Sequence, residues 1–218
     1  VTLDPDAVAV PFEARVAFAT HNAHKASEVR AILSDAIPGF LAEHLVTSGE
    51  LGADEPIEDG ATFAENALLK ARALAACTGI VAIADDSGIA VTIMGGAPGI
   101  FSARWCGHHG DDTANLDLLL AQLADVPPEH RAAAFVCAAV AVHPDGREVV
   151  EEARLEGVIA DAPRGTNGFG YDPIFVARGQ TVTNGELDPE VKNSISHRGQ
   201  AFRALARGLP ALLVEKPS

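Results

Sequence analysis

The junction between Gly79-Ile80-Val81-Ala82-Ile83 and Ala84-Asp85-Asp86-Ser87-Gly88 constrains this chain more than any other segment. A short run of apolar, partly β-branched residues reads as a buried strand. Adjacent carboxylates have no use inside such a strand, so Asp85 and Asp86 are expected at its end, with the backbone turning at Ser87-Gly88. Side chains alternate along a strand, which presents Asp86 to a cleft and turns Asp85 the other way. Two neighbouring acids suit a hard cation such as Mg²⁺ or the activation of a water molecule. Asp and Ser are equally at home in caps and turns, so the tetrad alone leaves a purely structural use open.

Three further blocks carry related chemistry. Arg15–Thr20 is patterned as a strand and Lys25–Leu33 as a helix with Val29, Ile32 and Leu33 apolar, joined by the polar turn His21-Asn22-Ala23-His24. A helix start presents unpaired N–H groups and the positive end of its dipole, so this turn is a ready anion site to which Lys25 adds a full charge. Gly165-Thr166-Asn167-Gly168-Phe169-Gly170-Tyr171-Asp172-Pro173 packs glycines around two aromatics and an acid. Glycines let a backbone approach a ligand, and an aromatic ring offers a stacking face to a base. Ser196-His197-Arg198 falls between two helical segments, shortly after Lys192.

In this order the blocks resemble the Ham1 family of inosine and xanthosine triphosphate pyrophosphatases. The resemblance rests on Thr20-His21-Asn22-Ala23-His24-Lys25, Glu58-Asp59-Gly60-Ala61-Thr62-Phe63-Ala64-Glu65-Asn66-Ala67, Asp85-Asp86-Ser87-Gly88, Gly95-Gly96-Ala97-Pro98-Gly99 with Ser102-Ala103-Arg104, Gly168-Phe169-Gly170-Tyr171-Asp172-Pro173 and Ser196-His197-Arg198. It runs from about Arg15 to about Leu209. One position departs from the pattern: the family usually carries Gly, or another small or polar residue, where this chain has His21. That imidazole either adds a titratable donor to a phosphate-side loop or points to solvent.

The resemblance implies an α/β fold, with a mixed, elongated, twisted sheet flanked by helices and two lobes around a central nucleotide-binding cleft. It further implies a homodimer, a Mg²⁺ cofactor, and cleavage of ITP, dITP or XTP at the α–β phosphoanhydride to give a monophosphate and pyrophosphate. Thr20, His21, Asn22, Ala23, His24 and Lys25 are the expected phosphate contacts, with Lys25 and Lys70 stabilising charge and Ser87 donating a further hydrogen bond. Asp86 is the expected catalytic carboxylate, either activating water or holding the metal. Glu58 is the expected second metal ligand and Asp85 a third. The purine is expected on Phe169, within the same motif as Gly170 and Tyr171, with Asp172, Lys192, His197 and Arg198 reading its edge. Hypoxanthine and xanthine carry a 6-keto acceptor where adenine has an amino donor, so donors from His197 or Arg198 favour the former. A Maf-like nucleotide pyrophosphatase and a non-catalytic purine-nucleotide sensor share parts of the pattern. Carboxylates beside a triphosphate give a sensor little.

Composition bounds the rest. The 218 residues contain no internal repeat, low-complexity tract or linker, so a single domain over 13–218 is expected after a loose acidic tail at 1–12. That tail has no apolar core resembling a signal peptide, and no run of 18 apolar residues occurs, which predicts a cytoplasmic protein without a membrane partner. A formal net charge of −14 argues against nucleic acid, because a polyanion feels the whole surface field. A mononucleotide feels its pocket, and Lys25, Lys70, Arg104, Lys192 and Arg198 lie within or beside motifs, numerous enough to neutralise a triphosphate. Cys77, Cys106 and Cys137 lack metal spacing and read as free thiols. His108-His109 reads as a solvated loop between glycines, and His21 with His24 lacks a third metal ligand. No GxxxxGK[ST] sequence occurs, and no helical pattern follows Gly165–Gly170, which excludes a P-loop and a dinucleotide fingerprint.

The remaining pattern predicts a strand over Phe40–Val46 and a polar loop over Thr47–Ala61. A capping box at Thr62-Phe63-Ala64-Glu65 then opens a helix that Gly79 closes, with Asn66 and Lys70 on one face. There follow a strand at Ile89–Ile93, a tight turn at Gly95–Gly99, and a helix at Asp111–Leu123 with Leu116, Leu119, Leu120 and Leu123 inside. Ala132–His143 and Arg147–Ala160 read as strands joined by Pro144-Asp145-Gly146. Pro173–Val176 and helices at Asp188–Ile195 and Gly199–Arg207 complete the chain.

Overall fold

A computed structural model describes residues 15–214. Six strands, β1 (Val16–Phe18), β2 (Leu45–Thr47), β3 (Val81–Val91), β4 (Ala132–Val142), β5 (Glu148–Ile159) and β6 (Phe175–Ala177), form one sheet in the order β2-β1-β3-β4-β5-β6. The sheet is mixed: β1 runs parallel to both β2 and β3, with Phe18 opposite Thr47 and Ile83, whereas β5 and β6 are antiparallel. The helices are α1 (Ala23–Ala36), α2 (Ser48–Leu51), α3 (Phe63–Thr78), α4 (Asp112–Gln122), α5 (Pro189–Ile195) and α6 (His197–Leu213). Among the described residues, none of them is long and apolar enough to cross a membrane.

By packing, the chain divides into two compact units. One takes the described residues up to Asp86 together with Ala138–Glu152 and the described residues from Gly199 onward; the other takes Ser87–Cys137 and Ala153–Arg198. In the first, Ala17, Ala82, Ala84 and Val140 of the strands pack with Ala67, Ala71 and Leu74 of α3, small residues letting helix and sheet approach closely. Phe18, buried on the other side of β1, meets Phe202 of α6 edge to face with centroids 5.7 Å apart. In the second unit, Ile89 and Val91 pack with Leu116, Leu119 and Leu123 of α4 and with Phe135 and Phe175.

Local signals account for most element ends. Thr62 caps α3 by accepting from the Glu65 N–H at 3.1 Å, and Gly79, at φ 70°, closes it. The Glu65 carboxylate accepts from the Ala61 N–H at 2.7 Å, one residue before the cap. The hairpin between β4 and β5 turns at Pro144-Asp145-Gly146 as its sequence predicts, with Gly146 at φ 90°.

Three expectations need correction. The strand over Phe40–Val46 is mostly a 3-10 turn at Ala42–His44, and only Leu45–Thr47 finds partners on β1. The polar loop contains α2, opened by a capping box in which Thr47 and Glu50 bond each other's backbone N–H, at 3.1 and 2.7 Å. The largest correction concerns β3, which does not end at the acids. It continues through Asp85, Asp86, Ser87 and Gly88 as one strand of 11 residues. Gly88 serves close approach, because a Cβ there would collide with the Ser102 hydroxyl and the Gly99 carbonyl. Ser102 Oγ accepts from the Ile89 N–H at 2.9 Å and donates to Gly99 O at 2.6 Å. Gly88→Ala is therefore expected to destabilise the fold by about 1–3 kcal/mol through overpacking, measured as a loss in chemical-denaturation midpoint at unchanged slope.

Candidate active site

Alternation along β3 distributes its two acids. Ala82 and Ala84 face α3, and the next residue on that face, Asp86, accepts from Asn66 Nδ2 of α3 at 3.1 Å. Asp85 turns to the opposite face, where it is 0% exposed and lies 2.7 Å from Lys25 Nζ of α1. Asn66, itself buried, accepts from the Gly60 N–H at 2.9 Å through its carbonyl, which holds the preceding loop to α3. Lys70, one turn further along α3, pairs with Glu58 of that loop at 2.8 Å.

Two ammonium groups thus meet three carboxylates. Burial alone would lower the Lys70 pKa, but the charges of Asp85, Asp86 and Glu58 outweigh it and hold the ammonium above its ordinary value. Asp86 moves the other way. Burial raises its pKa, Glu58 and Asp85 add to the rise, and Lys70 and Asn66 oppose it without prevailing. Asp86 and Glu58 are hard oxygen donors, and their excess negative charge fits a divalent cation. Among the described residues no three His, Cys, Asp or Glu side chains gather as a metal cage.

The turn between β1 and α1 is ordered by its own side chains. Thr20 Oγ1 accepts from the Asn22 N–H at 3.1 Å, and Asn22 caps α1 by accepting from the Lys25 N–H at 3.1 Å. His21 Nδ1 lies 2.9 Å from Glu55 Oε1, with both side chains about half exposed. Ala23 is exposed at the first position of α1, and the His24 side chain lies outside the described residues.

In the second unit, Phe169 is 59% exposed. Lys192 Nζ lies 5.1 Å and the Arg198 guanidinium 5.7 Å from its ring centroid. Asp172 Oδ2 accepts from Lys192 Nζ at 2.7 Å and from the Phe169 N–H at 2.9 Å. Arg198 donates to Ser87 Oγ at 3.3 Å, and the His197 ring stacks on Phe135 at 4.9 Å.

The Ham1 family model matches residues 16–208, nearly all of the described chain. The chain belongs to the Ham1 family. It is 57% identical over 205 residues to a Streptomyces coelicolor dITP/XTP pyrophosphatase, covering 91% of this chain and 98% of the relative. The structure of a Ham1 protein from Coxiella burnetii superposes with a TM-score of 0.82 at 36% identity, covering 91% of this chain and 99% of that one. That of a Mycobacterium abscessus nucleoside-triphosphatase / dITP/XTP pyrophosphatase gives 0.73 at 49% identity, covering 87% and 97%.

Several residues expected to contact substrate in this Ham1 chain are engaged internally. Tyr171 is buried in the core, donates its hydroxyl to Ser102 O at 2.8 Å, and has its pKa pushed up by burial and by Asp112 and Cys106. The Gly170 N–H donates to Asp112 Oδ2 at 2.9 Å. Arg104 lies over the Phe101 ring at 5.4 Å. His197 and Arg198, expected between helices, are the first residues of α6. Asn66 was legible as a neighbour of Lys70 four residues on, but its two hydrogen bonds, to Asp86 and from the Gly60 N–H, carry no sequence signal.

Because the fold favours protonated Asp86, stability falls as the pH rises from the unfolded pKa towards the folded one and stays lowered above it, and the penalty vanishes where the folded and unfolded groups are both protonated. In metal-free buffer Asp86→Asn should melt above wild type at pH 8, the two curves converging near about pH 4. Thermal melts in chelator across that range measure it.

Proposed function

We propose that this protein hydrolyses ITP, dITP and XTP at the α–β phosphoanhydride, releasing the nucleoside monophosphate and pyrophosphate with Mg²⁺ as cofactor. The carrying observation is the group formed by Asp86, Glu58, Lys70 and Asn66, in a chain whose relatives at 49–57% identity are named dITP/XTP pyrophosphatases. Asp86 orients the attacking water, its raised pKa suiting it to accept a proton. Lys70 stays an ammonium and opposes charge growing on the phosphoryl oxygens. The capped start of α1, with Asn22 and Thr20, binds phosphate through its N–H groups. A Mg²⁺ ion held by Glu58 would neutralise phosphate charge, Asp86 being engaged with the water.

The Phe169 group supports the base preference. An open ring flanked by Lys192 and Arg198 offers a stacking face and cationic donors, which suit a 6-keto purine and leave adenine's 6-amino donor facing donors. On the family likeness we also propose a homodimer, which sedimentation equilibrium would report as twice the chain mass.

Chromatography of an ITP digest should show IMP and pyrophosphate in equal amounts, whereas IDP with orthophosphate would place cleavage at the other bond. In the same assay kcat/KM for ITP should exceed that for ATP by at least about a hundredfold, since a site built around a hydrogen bond rejects the analogue that leaves it unmade. Equal values would remove the 6-keto reading.

A further inference from the structure

Asp172 does not behave as a group that presents an oxygen to a ligand. It is 3% exposed, and its Oδ2 already takes Lys192 Nζ and the Phe169 N–H. Its other oxygen, Oδ1, accepts from Asn184 Nδ2 at 3.1 Å. Asn184 is 2% exposed, with its backbone N–H fixed on Phe175 O at 2.8 Å, and the neighbouring Gly185 N–H donates to Asp172 O at 3.0 Å. The segments are pressed together so closely that a Cβ at Gly168 would collide with the Asp172 carboxylate.

One detail gives the Asn184 amide its meaning. Its carbonyl, Oδ1, is buried with no hydrogen-bond partner among the described residues. A buried orphan acceptor is costly, and reversing the amide would only set that carbonyl against a carboxylate. The side chain is therefore spent on delivering its NH₂ to Asp172.

We propose that Asn184 is a positioning residue for purine recognition. By pinning Asp172 Oδ1 it fixes the carboxylate plane, and through Oδ2 it sets where Lys192 Nζ and the Phe169 backbone stand. The inference rests on the assignment of the Phe169 group to the base. Asn184 acts through Asp172 and need not touch the nucleotide.

The test uses IMP and pyrophosphate as separate calorimetric probes on wild type, Asn184→Ala, Asn184→Ser and Asn184→Asp, from pH 5 to pH 8. Asn184→Asp keeps the shape but opposes two carboxylates, so IMP binding should weaken roughly tenfold or more at pH 8. Towards pH 5 a proton shared between residue 184 and Asp172 restores the bridge, and affinity should return towards wild type. The other charged groups around this pair are Lys192 on Asp172, Arg198 over Phe169, Asp112 on the Gly170 N–H, and Glu186 on Arg164 and Thr183, and none of them is altered in the series. Asn184→Ala should weaken IMP by a factor that does not change with pH, and Asn184→Ser, which keeps a donor, should lie between Ala and wild type. Pyrophosphate affinity should be the same in all four.

If Asn184→Asp matched Asn184→Ala at every pH, Asn184 would only fill space and the inference would fail. A parallel loss of pyrophosphate affinity would refute it too, as a general loss of structure. Failure of wild type to bind IMP at all would overturn the purine reading itself, and this inference with it.

Discussion

Two ionisable side chains stand next to each other inside a strand of the sheet, and the rest of the active site follows from neutralising them. Charge cannot be left in such a place without partners. Strand alternation sends Asp85 and Asp86 to opposite faces, so the partners must come from two different helices. Lys25 reaches Asp85 from the first turn of α1, while Asn66 and Lys70 serve Asp86 and Glu58 from one face of α3. The helices are therefore placed by electrostatics as well as by their apolar faces. Strand β3 can run straight through its acids because these partners exist.

The buried carboxylates of the two units differ in how well they are matched. Asp85 and Asp172 are almost wholly buried, and each meets a lysine ammonium at 2.7 Å. A buried carboxylate so matched is a rigid post on which a lysine is mounted. Asp86 differs, for its neighbours include two further acids and its pKa is raised by burial. The destabilised charge that makes Asp86 a burden on the fold is what we propose suits it to its role at the phosphate.

Much of the fold was legible because its signals are local. The Thr62 cap, the Gly79 stop and the Pro144-Asp145-Gly146 hairpin each act within a few residues, and each falls where its sequence places it. The turn read at Ser87-Gly88 failed because the compensation for Asp85 and Asp86 comes from Lys25 and Lys70, distant in sequence. Helix α2 has a local Thr47 and Glu50 box, but four residues make too short a helix to show periodicity. Alternation correctly turned Asp85 away from Asp86. The Gly60 N–H bond to Asn66, the His21 contact with Glu55 and the Asn184 bond to Asp172 depend on the approach of separate segments and leave no pattern to read.

In the mechanism we propose, Asp86 works at the reacting phosphate and the groups around Phe169 take the base. Rapid-quench single-turnover hydrolysis of ITP, with enzyme in excess and Mg²⁺ present, measures the chemical step of wild type and Asp86→Asn directly. The account predicts a fall of at least about a hundredfold, the low end for a positioned acid–base group, with IMP affinity unchanged. A chemical step within a few fold of wild type would contradict it and move the reaction to another carboxylate.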